Sequence, residues 1–293
     1  MPSLKDIRRR IGSVKNTQKI TRAMKLVAAA KFARANAAVV AARPYGTAFQ
    51  AMVERLVVAA GGSVQSPLLN EREEHKILLV LLSTDRGFCG GLNSNLFKQA
   101  VQFINAKRRD GVQVDLMPWG RRARQFSAKL SYEVQDPREK VLDKPSYGLA
   151  KELAADLVHR FEHEGYDRIY LGFVEFKSAM SQVPKFAQVL PVGKSHSGRS
   201  HKEPEAEFGP DILVEPSIQE VLEQVLKREV AGLIFRAMLE GAASEHGARM
   251  TAMDSATNNA NEVLRRMKIQ YNRARQAAIT KELIEITSGA QAL

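Results

Sequence analysis

The chain has 293 residues, a net charge of +12 and one cysteine, Cys89. That length admits one large domain or two ordinary ones, and a single cysteine excludes an internal disulfide framework and suits a reducing compartment. The basic N-terminal residues have no apolar run behind them, so no signal peptide is expected, and no stretch approaches the roughly 20 apolar residues of a transmembrane helix. A soluble chain, or one held at a membrane by partners, is expected.

Residues 3–58 read as helix. Ser3 can cap it, with Asp6 three residues on in a capping-box-like spacing. Ile7, Ile11, Val14, Gln18, Thr21, Lys25, Ala28, Phe32, Ala35 and Val39 alternate by four and three, which is coiled-coil spacing. Polar residues interrupt it at Gln18, Thr21 and Lys25, where a second line, Ile20, Met24 and Val27, takes over. The seam is therefore expected to drift, the helix twisting around more than one neighbour. Pro44 predicts a kink or break, and Gly61-Gly62-Ser63 through Pro67 a linker. Residues 1–40 hold ten basic side chains against one acid, Asp6. Such a surface suits a phosphate backbone or an acidic protein. Phe32 is the only aromatic in that stretch, so the stacking groups of a nucleic-acid module are missing. Both readings stay open.

Residues 75–192 alternate strand and helix. Ile77–Leu82 is an apolar run of strand length, as for a strand covered on both faces. A Gly-rich turn leads to a helix over 94–109. Strands follow over 112–117, 168–176 and roughly 185–192, with helices over 120–129 and 147–164. The alternation predicts a mostly parallel α/β sheet. The segment Ser83–Asn93 sits where a phosphate loop would, but has neither G-x-G-x-x-G nor G-K-[ST]. It reads as an exposed, tight strand-to-helix turn. His159-Arg-Phe-Glu-His163 matches a zinc-peptidase pattern by letters. Arg160 and Glu164 beside it, and Gly165 ending the helix, read as a solvated face. Cys89 at a helix start has no resolving partner and reads as structural.

Gly193 to Pro210 reads as a loop or hinge. Residues 217–287 contain no proline and read as one helix, apolar from Leu222 to Met238 and lined by small residues from Ala242 to Asn261. About seventy helical residues span about 105 Å, against a radius of gyration near ~19 Å for a globule of this size, so the helix is expected to project. Its natural partner is the first helix, antiparallel, with the α/β domain inserted between the two halves. The last ionisable side chain is Glu285. A long helix ending in a neutral tip, Ile286 to Leu293, predicts entry into something apolar.

Lys15–Lys31, Ser83–Asn93, Met180-Ser-Gln-Val-Pro184, Ala248–Asn259 and Ile279–Ala290, in this order along the chain, together resemble the gamma subunit family of F-type ATP synthases, in its bacterial form. The resemblance implies an α/β fold: a long antiparallel coiled coil of N- and C-terminal helices (1–60 and 211–293), an inserted Rossmann-like parallel-sheet domain (75–192) and a linker (193–210). It implies a central rotor shaft between the c-ring and the catalytic beta subunits, coupling ion flow to ATP synthesis or hydrolysis. Three alpha and three beta subunits, epsilon and the c-ring are the implied partners, at the cytoplasmic face of the inner membrane. No catalytic residue, cofactor or metal is implied, and no nucleic acid. Position by position, Arg275 and Gln276 match a polar pair that engages a loop of beta. Thr280 and Glu282 match signature positions tied to coupling, as do Met24 and Arg249 on the two helices. Arg86 and Cys89 lie in the loop that meets an acidic lever of beta. The rival reading from the residues alone is a basic coiled-coil nucleic-acid binder.

Overall fold

Ser3 opens the first helix with a reciprocal cap. Its hydroxyl accepts from the Asp6 backbone N–H at 3.2 Å and donates to the Asp6 carboxylate at 2.8 Å. The helix that follows, α1, runs Leu4–Ala59. The remaining elements are β1 (Lys76–Leu82), α2 (Leu92–Arg109), β2 (Gln113–Trp119), α3 (Arg121–Ser127), α4 (Tyr147–His163), β3 (Arg168–Phe176), β4 (Gln182–Leu190) and α5 (Ile218–Gln291). The computed structural model describes residues 3–59, 66–130, 134–193, 215 and 217–291. The Gly61-Gly62-Ser63 linker and the hinge residues 194–210 lie outside them. Residues 31–248 form one compact unit; the parts of α1 and α5 on either side of it form another.

In the larger unit, β1 is buried on both faces, and the sheet order is β2-β1-β3-β4. β1 runs parallel to β2 and β3, as strand–helix alternation predicts. β4 departs from the expectation: it is antiparallel to β3 and begins at Gln182 rather than 185. The physical reason is the connection. Residues 177–181 make a short turn, and a parallel return needs a crossover of a dozen residues or more. Pro184 is tolerated because β4 is an edge strand.

Each face of the sheet has its own core. One gathers α4, the Leu222–Met238 face of α5 and Val53 and Leu56 of α1 against Leu78, Val80 and Leu171. The other packs α2 and α3 against Ile77, Leu79 and Leu116, with Phe97 stacked on Phe126 at 4.4 Å. α1 and α5 meet through Val39, Leu239 and Ala243, beside Phe32 and Ala35. Pro44 does not end α1, which continues through it to Ala59; a proline removes one ladder donor, and packing of Val53 and Leu56 into the core holds the helix beyond it.

In the smaller unit the covered side chains of α1 keep the four-three alternation from Ile7 through Gln18, Thr21 and Lys25 to Ala28. On α5 the matching stripe is Met253, Thr257, Ala260, Leu264, Met267, Tyr271, Ala274 and Ala278. The drift expected at Gln18 is absent: Ile20 and Val27 are exposed. The seam stays on its polar residues because each finds a polar partner on α5.

Glu74, just before β1, ties the sheet to its flanking helix. It accepts from Lys107 at the end of α2, from the Tyr170 hydroxyl at 2.7 Å, and pairs with Arg168 at 2.9 Å. Burial pushes the Glu74 carboxyl up, but the hydrogen bonds from Lys107 and Tyr170 and the charges of Lys107 and Arg168 outweigh it and hold it below the usual carboxylate range. A carboxyl depressed on folding contributes stability that is complete above its unfolded pKa, about 4.3, and is lost as pH falls through the lower folded value. Between about pH 6 and about pH 3 the wild type is therefore expected to lose more stability than Glu74→Gln. Urea midpoints of the two proteins across that range check it; parallel pH profiles would show that Glu74 carries no linkage.

Candidate partner-contact residues

The chain leaves β1 at Leu82 and reaches α2 at Leu92 through a loop closed by side chains. Ser83 continues the β2 ladder, its N–H donating to the Trp119 carbonyl at 2.8 Å, and its hydroxyl accepts from Ala123 N–H at 2.7 Å. Asp85 receives the backbone N–H groups of Arg121 at 3.0 Å and Lys140 at 3.1 Å, so one carboxylate pins the start of α3 and a second loop. Lys140 takes a positive φ of 60° there. Asn93 closes the turn from the helix side: its amide donates to Thr84 Oγ1 at 2.8 Å and to Cys89 Sγ at 3.3 Å. Thr84 Oγ1 donates in turn to the Arg86 carbonyl at 2.7 Å. At Gly87 a Cβ would stand 2.5 Å from the Arg122 guanidinium, so a side chain there would make that arginine swing aside.

The frame sorts the loop's side chains. Arg86 is exposed and its backbone is fixed. Cys89 is only 3% exposed, turned inward beneath Asn93. Phe88 between them is 72% exposed with φ 61°. A bulky residue held in the left-handed region costs of order 1–3 kcal/mol, and such strain clusters at contact sites. Sequence reasoning picked out Arg86 and Cys89 and passed over Phe88; nothing in the residue order signals a positive φ for phenylalanine.

The other candidates lie on the smaller unit. The contacts between α1 and α5 pair residues whose numbers add to 278 or 279. By that register Arg249 stands level with Ala30, and Met24 lies six residues, about 9 Å, further along. Met24 is half-buried and Arg249 buried; they flank one seam without facing each other. Arg275 and Gln276 are exposed and level with the first described turn of α1. Thr280 is exposed one turn further and donates to the Gln276 carbonyl at 2.9 Å. Glu282 follows on the same helix. Beyond Gln276 the helix carries Ile279, Leu283, Ile284 and Ile286, all exposed. The structure thus groups Arg275, Gln276, Thr280 and Glu282 within two turns, and keeps Met24 with Arg249 lower on the same seam.

Among the described residues no three metal-ligating side chains converge. His159 and His163 stack at 4.6 Å on an exposed helix face, and Arg160 between them pairs with Asp156 and Glu164. An open depression of about 580 Å³ is lined by Gln102, Asn105, Arg108 and Arg109 of α2. Among the described residues no helix is long and apolar enough to cross a membrane.

A family model described as ATP synthase matches residues 3–293. The chain is 44% identical over 293 residues to the ATP synthase gamma chain of Geobacter metallireducens, covering 100% of this chain and 99% of that protein. It is 43% identical over 295 residues to the gamma chain of Heliobacterium modesticaldum, covering 100% of both. Its fold resembles a chain of the Euglena gracilis mitochondrial ATP synthase rotor in rotational state 1, with a TM-score of 0.66 at 17% identity, covering 94% of this chain and 98% of that one.

The clasp around Cys89 makes a prediction. In Asn93→Ala the thiol loses its amide partner and the loop its closure, and labelling by a thiol reagent is expected to accelerate by about tenfold as local opening becomes easier. An unchanged rate would mean that the cysteine is buried by packing alone.

Proposed function

This chain belongs to the ATP synthase gamma-chain family, and on that footing we propose that it is the central-stalk rotor subunit of a bacterial F-type ATP synthase. It is not an enzyme by itself. It transmits rotation between a membrane-embedded c-ring and catalytic beta subunits, coupling ion flow to ATP synthesis or hydrolysis. The observation that carries this reading is the 44% identity over the whole chain to a curated gamma chain. An antiparallel pair of long helices supports it. The nucleic-acid alternative has no such support.

In this reading three alpha and three beta subunits surround the α5 tip, and epsilon joins the larger unit near the c-ring, at the cytoplasmic face of the inner membrane. The shaft acts as a ligand whose affinity differs among the conformations of beta, and only that difference can bias them. Arg275, Gln276, Thr280 and Glu282 are the polar contacts to beta, at and just beyond the level of the first described turn of α1. Met24 and Arg249 set coupling lower on the seam. The loop that carries Arg86 and Cys89 meets an acidic lever of beta, Arg86 by charge and Cys89 by holding the loop's shape. Exposed ion pairs are worth at most about 1 kcal/mol each, so they can break and re-form as the shaft turns.

Mixing this chain with alpha and beta subunits is expected to yield a complex with steady ATP turnover well above alpha and beta alone. Equal turnover with and without it would overturn the rotor reading. A charge on the neutral tip should damage assembly where one on the lower seam's outer face does not. Ile286→Asp is expected to lower the yield of assembled complex by about fivefold, the effect of roughly 1 kcal/mol of lost burial, and Asn258→Asp to leave it unchanged. Equal tolerance would count against an apolar environment for the tip.

A further inference from the structure

Polar contacts cross the seam of the smaller unit in a run of successive pairs. Gln18 donates its side-chain amide to Asn261. The hydroxyls of Thr21 and Thr257 stand 2.8 Å apart, and each also reaches a carbonyl of its own helix, Gln18 at 3.1 Å and Met253 at 2.7 Å. Lys25 Nζ meets Asp254 at 2.6 Å. They follow one another at steps of three and four residues along both helices, so they occupy consecutive layers of a single seam.

The apolar side of these layers is small. The buried neighbours are Ala28, Met253 and Ala260, with Met24 and Leu264 half-covered beside them. Alanine-lined helices pack nearly as well one heptad out of step, so apolar burial discriminates poorly between axial positions here. The polar layers discriminate well. A slip of one heptad toward the α5 C-terminus brings Lys25 opposite Asn261 instead of Asp254. The Thr21 hydroxyl, 8% exposed, then faces Leu264. Loss of the cross-helix hydroxyl contact, which leaves Thr21 only its bond to the Gln18 carbonyl, and separation of the half-exposed charge pair both disfavour the slipped state.

We infer that Gln18–Asn261, Thr21–Thr257 and Lys25–Asp254 fix the axial register of α1 against α5, acting as positioning residues for everything further along the shaft. One heptad is about 10 Å, so the register decides which residues of α5 stand level with the start of α1. Arg275 and Gln276 hold that level only in the observed register. Register is a property of the chain alone, so its test is separate from the rotor reading.

The test uses the full-length chain with paired cysteine reporters. Heptad repetition from Thr21–Thr257 places Val14 opposite Leu264 in the observed register and opposite Tyr271 after a one-heptad slip. In the parent, oxidation should crosslink Val14→Cys with Leu264→Cys and not with Tyr271→Cys. Replacing the polar layers by Gln18→Leu, Asn261→Leu, Thr21→Val, Thr257→Val, Lys25→Leu and Asp254→Leu should raise the ratio of slipped to in-register crosslink by about tenfold while the helix content and melting temperature are kept or increased. A crosslink that stays in register in this variant would overturn the inference. The charge pair gives a second measurement should that variant fail to fold. Lys25→Asp should raise the slipped crosslink, and Lys25→Asp with Asp254→Lys should restore the parent pattern. A reversed pair no better than Lys25→Asp alone would also overturn it.

Discussion

The four-three seam between α1 and α5 is the constraint on which the other features depend. An isolated helix of either length has little to hold it straight in water, since most helical stability in proteins comes from packing one face against a partner. Each helix presents a narrow stripe, Ile7 to Val39 on α1 and Met253 to Ala278 on α5. Stripes of this width can cover only one partner. The remaining faces are left outside, and on α1 they are densely basic, with Lys5, Arg8, Arg10, Lys15, Lys19 and Arg22 all exposed. A large net charge destabilises a compact state by self-repulsion and raises the rate of encounter with acidic surfaces. Distributing the charge along an extended pair lowers the first cost and keeps the second benefit.

The larger unit solves a different problem, that of holding a loop still. Three parallel strands end at one edge, and the turn after β1 is fastened there from every side: Ser83 to Ala123, Asp85 to Arg121 and Lys140, Asn93 to Thr84 and Cys89. Loops that bind partners are often flexible and lose entropy on binding. The turn after β1 is already ordered, with Phe88 held in a conformation that phenylalanine rarely adopts. Gly120 belongs to the same fastening. Its φ is +103°, and a Cβ would fall 2.2 Å from the Ser83 carbonyl oxygen, so β2 can pass this close to the loop only with glycine there.

Much of this was legible in the residue order because it rests on periodicity and local chemistry. The α1 seam, its Ser3–Asp6 cap, the doubly covered β1 and the single long α5 are each written in consecutive residues. What the sequence did not reveal depends on long-range geometry. The direction of β4 follows from the length of the turn before it and from which edge of β3 is free. The continuation of α1 through Pro44 follows from the core beyond it. Gln18, Thr21 and Lys25 looked like a flaw in the seam, and Ile20, Met24 and Val27 like its replacement. Only the facing residues, Asn261, Thr257 and Asp254, show the polar run to be a matched set. A one-helix pattern cannot report its partner's complement. The contact roles of Arg275, Gln276, Thr280 and Glu282 rest on family resemblance, since an exposed polar helix face carries no mark that separates a binding site from simple solvation.

The two ends of the smaller unit's chemistry make sense together. Where α1 and α5 pair, polar contacts are directional, and direction is what a register needs: a hydrogen bond at 2.8 Å is lost by a displacement of about 1 Å. Toward the tip, past Glu285, directional contacts would be a hindrance to a helix that turns against its surroundings, because each would favour one angle. Apolar contact has no such preference, being roughly proportional to the area removed from water and indifferent to orientation. Of the exposed Ile279, Leu283, Ile284 and Ile286, only Ile286 lies beyond Glu285 and offers that kind of surface there, and the absence of ionisable side chains after Glu285 removes the alternative. Polarity is thus placed where position must be held and withdrawn where angle must stay free, with Arg275, Gln276, Thr280 and Glu282 at the boundary between the two.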